Sequence, residues 1–102
     1  MEFKVKGIIV PIVTPFDGTG NVDAVGVRRL VEYLIDRGIA GLFSGGTTGE
    51  GFLLSLDERR QLAEGVVAAA DGRVPVIVHA GAASTPDAVA LSRHALAVGA
   101  QA

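Results

Sequence analysis

Residues 41–58 read GLFSGGTTGEGFLLSLDE and decide the fold. The stretch opens with a short apolar segment over residues 41–44, which is typical of a strand. A glycine-rich loop follows over residues 45–51. Ser55 and Glu58 then form a capping box, in which the serine oxygen accepts from the N3 amide and the glutamate reaches back to the N-cap amide. The stretch therefore predicts a strand, a loop and the start of a helix.

The same order of features occurs on either side of this stretch. Residues 7–13 are apolar and β-branched and predict a strand buried on both faces, while residues 74–79 predict a third strand with Pro75 at its beginning. Apolar residues spaced i, i+3 and i+4 predict an amphipathic helix after each strand. Thr85 is the expected N-cap of the third helix, with Pro86 at its first position. The inward residues of the three helices are Val27, Leu30, Val31, Leu34 and Ile35, then Leu62, Ala63, Val66, Val67 and Ala70, then Ala88, Leu91, Ala95 and Val98.

The recurring pattern predicts an α/β fold with a parallel sheet, because strand starts recur about every 35 residues with a helix between them. Crossovers between parallel strands are right-handed, so the helices should cover one face. We expect residues 1–102 to be the N-terminal, incomplete part of one TIM (β/α)8 barrel, supplying about three of its eight βα units. A fourth strand is due near Gln101, and Ile9, Ile12 and Ile77 should face the barrel interior. The alternative is a self-standing protein of three units.

Composition excludes several classes of partner. The 102 residues are 49% hydrophobic and 20% charged, with a net charge of −2 and no cysteine. Without a basic excess, nucleic acid and anionic membranes are not expected as partners. Without cysteine, neither disulfides nor thiolate metal sites can form. The apolar run over residues 8–13 is too short to span a bilayer, so we expect a cytoplasmic protein. Neither a metal nor a cofactor is expected.

The glycine-rich loop is the candidate site, because loops that follow the strands carry function in a barrel. Thr47 and Thr48 offer two adjacent hydroxyls, and the glycines leave amides free to form a nest for a small anion such as a carboxylate. An alternative is equally open at this point: the segment is a turn whose threonines cap the backbone.

Four segments resemble the dihydrodipicolinate synthase and N-acetylneuraminate lyase family. Residues 45–50, GGTTGE, are similar to its signature loop G-[TS]-T-G-E. Residues 13–16, 54–59 and 72–77 resemble its first strand end, second helix start and third strand. The resemblance implies a class I aldolase-type lyase or synthase, which forms a Schiff base between a barrel lysine and the keto carbon of pyruvate or another 2-keto acid. It also implies a homo-oligomer, a tetramer in the family.

The resemblance assigns roles to the hydroxyl pair. It implies that Thr47 and Thr48 bind the pyruvate carboxylate, and that Thr47 also joins a tyrosine-based proton relay. The chain has two lysines, Lys4 and Lys6, and both precede the first strand. We therefore expect the Schiff-base lysine to be absent from this chain. Tyr33 falls on the first helix, where packing is expected rather than a part in the relay.

The branch of the family stays open. Gly45-Gly46 and the strand end His79-Ala80-Gly81 resemble the N-acetylneuraminate lyase branch, which acts on sialic or other sugar acids. The pair Thr47-Thr48 resembles the synthase branch. His79 is expected to hydrogen-bond a neighbouring group rather than act as a base.

The remaining polar residues are expected to be structural. His94 should lie at a surface or an interface, and Glu50 should tie the backbone of its loop. Residues 57–60 (Asp57, Glu58, Arg59 and Arg60) should be a capped, solvated helix start.

Two other classes of function compete with the lyase. A nucleotide-binding module is disfavoured because the loop glycines are in the wrong order for G-x-G-x-x-G. A non-catalytic partial barrel would act as an assembly piece, pairing through its open strand edges with itself or with a complementary fragment.

Overall fold

A computed structural model describes residues 4–102 and contains three consecutive βα units. A single 3₁₀ turn, Gly51–Leu53, lies between the second strand and its helix. This order confirms the predicted alternation of strands and helices. The elements are β1 (Ile9–Pro11), α1 (Ala24–Asp36), β2 (Gly41–Ser44), α2 (Leu56–Ala70), β3 (Val76–Val78) and α3 (Thr85–Val98).

The three strands form a parallel sheet in the order β1-β2-β3. Val10 is in register with Leu42, and Leu42 with Val76. Both outer strands are shorter than predicted. Gly7 turns the chain with a φ of 126° just before β1, and prolines at positions 11 and 75 have no N–H to donate to a ladder.

The core lies between one face of the sheet and the helices. Ile12, Leu42 and Val76 face the helices and are at most 2% exposed. Because side chains alternate along a strand, Ile9 and Pro11 point to the other face, and both are exposed. The prediction that Ile12 faces the interior of a barrel was therefore wrong, as was the prediction that the first strand is buried on both faces.

The packing of the elements gives a two-layer slab. α1 packs on α2 and α2 on α3, all on the same face of the sheet. The slab measures 36 × 34 × 20 Å, with a radius of gyration of 12.7 Å, close to the ~13 Å of a compact chain of this length. Its thin dimension is that of one helix layer and one sheet, so the second face of the sheet carries no described layer.

Side chains cap each of the three helices. The Asp23 carboxylate accepts from two amides at the start of α1, and the capping box of Ser55 and Glu58 is present as predicted. Ser84 caps α3, its Oγ accepting from the Asp87 amide at 3.3 Å. The prediction of Thr85 as N-cap was wrong by one position, because Ser84 has the extended backbone of an N-cap while Thr85 is already helical.

Gln101 and Ala102 run along the outer edge of β3. The Gln101 amide donates to the Val76 carbonyl at 3.0 Å, and the Val78 amide donates to the Ala102 carbonyl at 2.9 Å. The Gln101 side chain adds a bond, accepting from the Val76 amide at 2.9 Å. The tail thus lies where the sequence pattern predicts a fourth strand. No helix within residues 4–102 is long and apolar enough to cross a membrane.

Candidate active site

Thr47 and Thr48 lie in the loop that leaves the carboxyl end of β2, and both are exposed. Within residues 4–102, neither threonine hydroxyl has a hydrogen-bond partner. Thr47 contributes only its main chain, whose carbonyl accepts from the Glu50 amide at 3.0 Å. The threonine side chains therefore do not cap the backbone, and both hydroxyls are available to a ligand.

Bonds at its base hold the loop in place. The buried Thr14, just after β1, donates from its Oγ1 to the Gly49 carbonyl at 2.6 Å. The Gly51 amide donates to the Gly46 carbonyl at 3.0 Å. Gly51 passes so close to the Gly45 carbonyl that a Cβ at position 51 would overlap it. The loop glycines thus allow a close backbone fold that presents the two threonines at its tip.

Glu50 ties the loop through its main chain rather than its carboxylate. It has a left-handed backbone, φ 58° and ψ 32°, and its carbonyl accepts from the Leu53 amide at 2.9 Å. Its side chain is exposed and has no hydrogen-bond partner within the described residues. The prediction that Glu50 ties the backbone is therefore wrong for its side chain, because the carboxylate lies in solvent and only the main chain of Glu50 bonds within the loop.

His79, just beyond β3, contacts the same loop. Its Nδ1 lies 3.1 Å from the Gly45 carbonyl oxygen. The rings of Phe43 and Phe52 lie beside the imidazole, with centroid distances of 6.1 and 5.5 Å. This confirms the prediction that His79 hydrogen-bonds a neighbouring group.

Arg59 contradicts the prediction of a solvated helix start, because it is only 7% exposed. Its Nη1 donates to the Gly81 carbonyl at 2.6 Å and its Nη2 to the His79 carbonyl at 2.7 Å. The buried Nε has no partner within the described residues. Burial lowers the pKa of the guanidinium, although an arginine remains charged at neutral pH.

The position of Arg59 carried a signal that sequence reasoning missed. Arg59 precedes Leu62, Ala63 and Val66 by three, four and seven residues, so it lies on the apolar stripe of α2. Its neighbour Arg60 is at the surface, where it pairs with Asp57 at 3.0 Å.

The other candidate residues lie away from the strand-end loops. Lys4 and Lys6 precede β1 and so stand at the amino end of the sheet. Tyr33 is on α1, 53% exposed, with the Arg37 guanidinium 3.5 Å from its ring centroid, so it does not pack in the core. His94 bridges α3 to α2 through a 2.8 Å contact with Glu64. Among residues 4–102, no three metal-binding side chains come together.

Nearly the whole chain matches one known protein family. Residues 4–102 match the model of the dihydrodipicolinate synthetase family. The chain belongs to this family. The match includes β1, the threonine loop and β3 with His79, which are the elements that build the candidate site.

Individual relatives agree with this membership. The N-acetylneuraminate lyase of Escherichia coli is 40% identical over 95 residues, which are 93% of this chain and 32% of the relative. The dihydrodipicolinate synthase of Acinetobacter baumannii, solved in complex with pyruvate, is 38% identical with a TM-score of 0.88, over 95% of this chain and 33% of that one. The N-acetylneuraminate lyase of Mycoplasma synoviae is 30% identical with a TM-score of 0.89, over 96% and 34%. The chain spans about a third of the length of these relatives.

Proposed function

We propose that this chain supplies the carboxylate-binding part of a pyruvate-dependent aldolase site in a lyase or synthase. The observation that carries the proposal is the pair of exposed hydroxyls of Thr47 and Thr48 at the carboxyl end of the parallel sheet, which have no hydrogen-bond partner within residues 4–102. The solved synthase of Acinetobacter baumannii holds pyruvate, which supports pyruvate or another 2-keto acid as the ligand.

The chemistry fits the geometry of the loop. A carboxylate accepts hydrogen bonds on two oxygens, and adjacent hydroxyls offer two donors without a lysine or arginine. Fixing the carboxylate orients the keto carbon toward an amine nucleophile, which gains rate through proximity. The protonated imine then serves as the electron sink for breaking or forming the carbon–carbon bond, so no metal or cofactor is required. A second role of Thr47 in a proton relay belongs to this proposal.

The three βα units are, in this proposal, the first three of a (β/α)8 barrel. The bare sheet face would then become the barrel interior, with the helices outside. Lys4 and Lys6 precede β1, whereas the site loops follow the strands. In this proposal the Schiff-base lysine is not among these 102 residues. A homo-oligomeric, cytoplasmic enzyme completes the proposal.

Two branches of the family compete for the carbon–carbon chemistry. The 40% identity to an N-acetylneuraminate lyase and the His79-Ala80-Gly81 strand end favour cleavage of a sialic or sugar acid. The paired threonines and the solved synthases favour condensation of pyruvate with an aldehyde. In a complete barrel that contains the lysine, release of pyruvate from N-acetylneuraminate, measured beside pyruvate consumption with aldehyde acceptors, separates the two branches.

The proposal is tested by pyruvate binding and trapping. Pyruvate should shift the amide resonances of residues 45–50, while borohydride reduction should leave no adduct on the 102-residue chain. Absence of any shift would contradict the carboxylate site. A stoichiometric adduct on Lys4 or Lys6 with turnover would contradict the placement of the nucleophile. Self-assembly without pyruvate binding would instead support the assembly-piece alternative.

A further inference from the structure

A continuous set of contacts joins α2 to the threonine loop through the end of β3. Arg59 on α2 holds the carbonyls of His79 and Gly81. The His79 ring then reaches the Gly45 carbonyl at 3.1 Å, two residues before Thr47. The buried guanidinium, the imidazole and the loop are therefore mechanically connected.

Two groups compete for Nδ1 of His79. Nδ1 lies 3.1 Å from the Gly45 carbonyl, which can only accept, and 3.3 Å from Arg59 Nη2, which can only donate. One nitrogen cannot satisfy both groups. Arg59 Nη2 already donates to the His79 carbonyl at 2.7 Å, whereas the Gly45 carbonyl has no other donor within the described residues. With the proton on Nδ1, the ring gives the Gly45 carbonyl its one donor among the described residues, and Nε2 is left with a lone pair.

We infer that His79 is a positioning residue for the carboxylate loop, and that Arg59 fixes the backbone from which His79 acts. This inference rests on the proposed function, since the loop it positions is the proposed carboxylate site. The Nδ1–H bond holds Gly45, whose left-handed φ of 74° starts the loop. The bond thereby sets the direction in which Thr47 and Thr48 leave β2.

The surroundings of the ring support a fixed orientation. Phe43 and Phe52 flank the imidazole. A Cβ at position 81 would lie 2.8 Å from His79 Nε2, so a glycine there leaves the space that the ring occupies. Gly81→Ala should displace the ring without removing any hydrogen-bonding group.

The first test is the protonation of the ring itself. Nitrogen-15 spectra of the wild-type protein should show the neutral form of the His79 ring protonated at Nδ1 and unprotonated at Nε2. The opposite tautomer would overturn the inference, because the Gly45 carbonyl would then lack its donor.

The second test separates positioning from simple structural support. The side-chain amide nitrogen of Asn occupies the position of His Nδ1, whereas that of Gln occupies the position of Nε2. His79→Asn can therefore still donate to the Gly45 carbonyl and should keep pyruvate affinity within about twofold. His79→Gln and Gly81→Ala should weaken it roughly three- to tenfold, the effect of one lost hydrogen bond. His94→Asn, which changes the histidine between α2 and α3, is the matched control and should bind like the wild type.

The outcomes also distinguish this inference from the proposed function. Equal affinities for the Asn and Gln variants, or an unaltered Gly81→Ala protein, would overturn the positioning role while leaving the pyruvate site intact. If the wild type does not bind pyruvate, the proposed function fails. The amide chemical shifts of residues 45–48 then test the positioning role. They should differ from the wild type in His79→Gln and match it in His79→Asn. Equal changes in the two variants would overturn the positioning role.

Discussion

At the scale of single residues, the chain buries one cation, Arg59, at the start of α2. Arg59 is buried, donates to two carbonyls and has no acidic partner within the described residues. Bonds from a charged donor are stronger than neutral ones, and carbonyls left without a donor on a buried surface are costly. Arg59 is thus a structural link between α2 and the loop after β3.

Replacing Arg59 by Met tests this link. The substitution keeps an unbranched side chain and removes both bonds, so the free energy of unfolding should fall by about 2–4 kcal/mol. Urea titration of a complete barrel that contains this chain measures the change. Arg60→Met is the control, because its ion pair with Asp57 is at the surface and should contribute less than about 1 kcal/mol. Equal effects of the two substitutions would contradict the structural role of Arg59.

The hydroxyl pair gives a second prediction at this scale. In a complete barrel that contains the lysine, Thr48→Val keeps the shape of the side chain and removes the donor, which should cost about 1–3 kcal/mol of pyruvate binding, or roughly tenfold or more in affinity. Thr47→Val should in addition lower turnover there, because it removes the proposed relay hydroxyl. Calorimetric titration and steady-state kinetics measure the two effects. Ser92→Ala is the control, because Ser92 Oγ donates within α3 to the Ala88 carbonyl. Unchanged binding in both threonine variants would leave the loop a structural turn.

At the scale of secondary-structure elements, the helix starts should respond to single substitutions. Ser55 Oγ accepts from the Glu58 amide at 3.1 Å, and the Ser55 amide donates to Glu58 Oε1 at 2.8 Å. Ser55→Ala should therefore destabilise α2 by about 1 kcal/mol. Amide hydrogen exchange in the first turn of α2 measures this. Ser84→Ala should act similarly on α3 and Thr85→Ala much less, which is the reverse of the expectation from sequence.

An ion pair between α1 and the segment after α2 gives the expected pH dependence. Arg73 contacts both carboxylate oxygens of Glu32, at 2.6 and 3.1 Å, and this bond lowers the pKa of Glu32 from its ordinary 4.5. A lowered folded-state pKa stabilises the protein above the unfolded-state pKa, and the contribution is lost as pH falls through the folded-state value. In a complete barrel that contains this chain, Glu32→Gln should therefore lower the melting temperature at pH 7 but not at a pH below both values. Melts across this range check the sign, and a difference that grows toward acid would contradict it.

The elements also show why parts of the fold could be predicted and others could not. Helices are long enough for the 3.6-residue period to define a face, and Val27, Val31, Leu62 and Val66 are buried as predicted. The first strand offered no such contrast: residues 8–13 are all apolar, so alternation could not tell which face Ile12 occupies. Adjacent hydroxyl residues at positions 84 and 85 both suit an N-cap, and only the backbone decides between them.

The candidate site was predictable only in part for a related physical reason. Thr47 and Thr48 lie in a glycine-rich loop that follows an apolar strand. This change in composition alone identifies the loop as a candidate site. The charge of Arg59 favours a solvent-exposed position, although its spacing places it on the apolar stripe of α2. Its partners are carbonyls some 20 residues away, and main-chain acceptors leave no trace in the residue types.

At the scale of the whole molecule, the described slab has one packed face and one bare face. Ile9 and Val13, on the bare side by alternation, are 36% and 55% exposed. The strand edges are less open than the pattern suggests, because Pro11 interrupts donors on β1 and the Gln101-Ala102 tail lies along β3. Contact between bare faces is therefore the more favourable route to association.

The 102-residue chain by itself should accordingly associate or melt without a sharp transition. Each Ile or Val contributes about 1.5–3 kcal/mol only when fully buried, so several left on one face amount to much of a domain's stability of ~5–15 kcal/mol. Light scattering after size exclusion and a thermal melt measure association and cooperativity. The double variant Ile9→Lys with Val13→Lys should reduce association, since it places charge on the bare face. Val25→Lys, which changes an apolar residue on α1 that is 44% exposed, should leave association unchanged. A compact wild-type monomer with a sharp transition would show that three βα units suffice as a domain, because the helix-facing core alone would then offset the apolar face left in water.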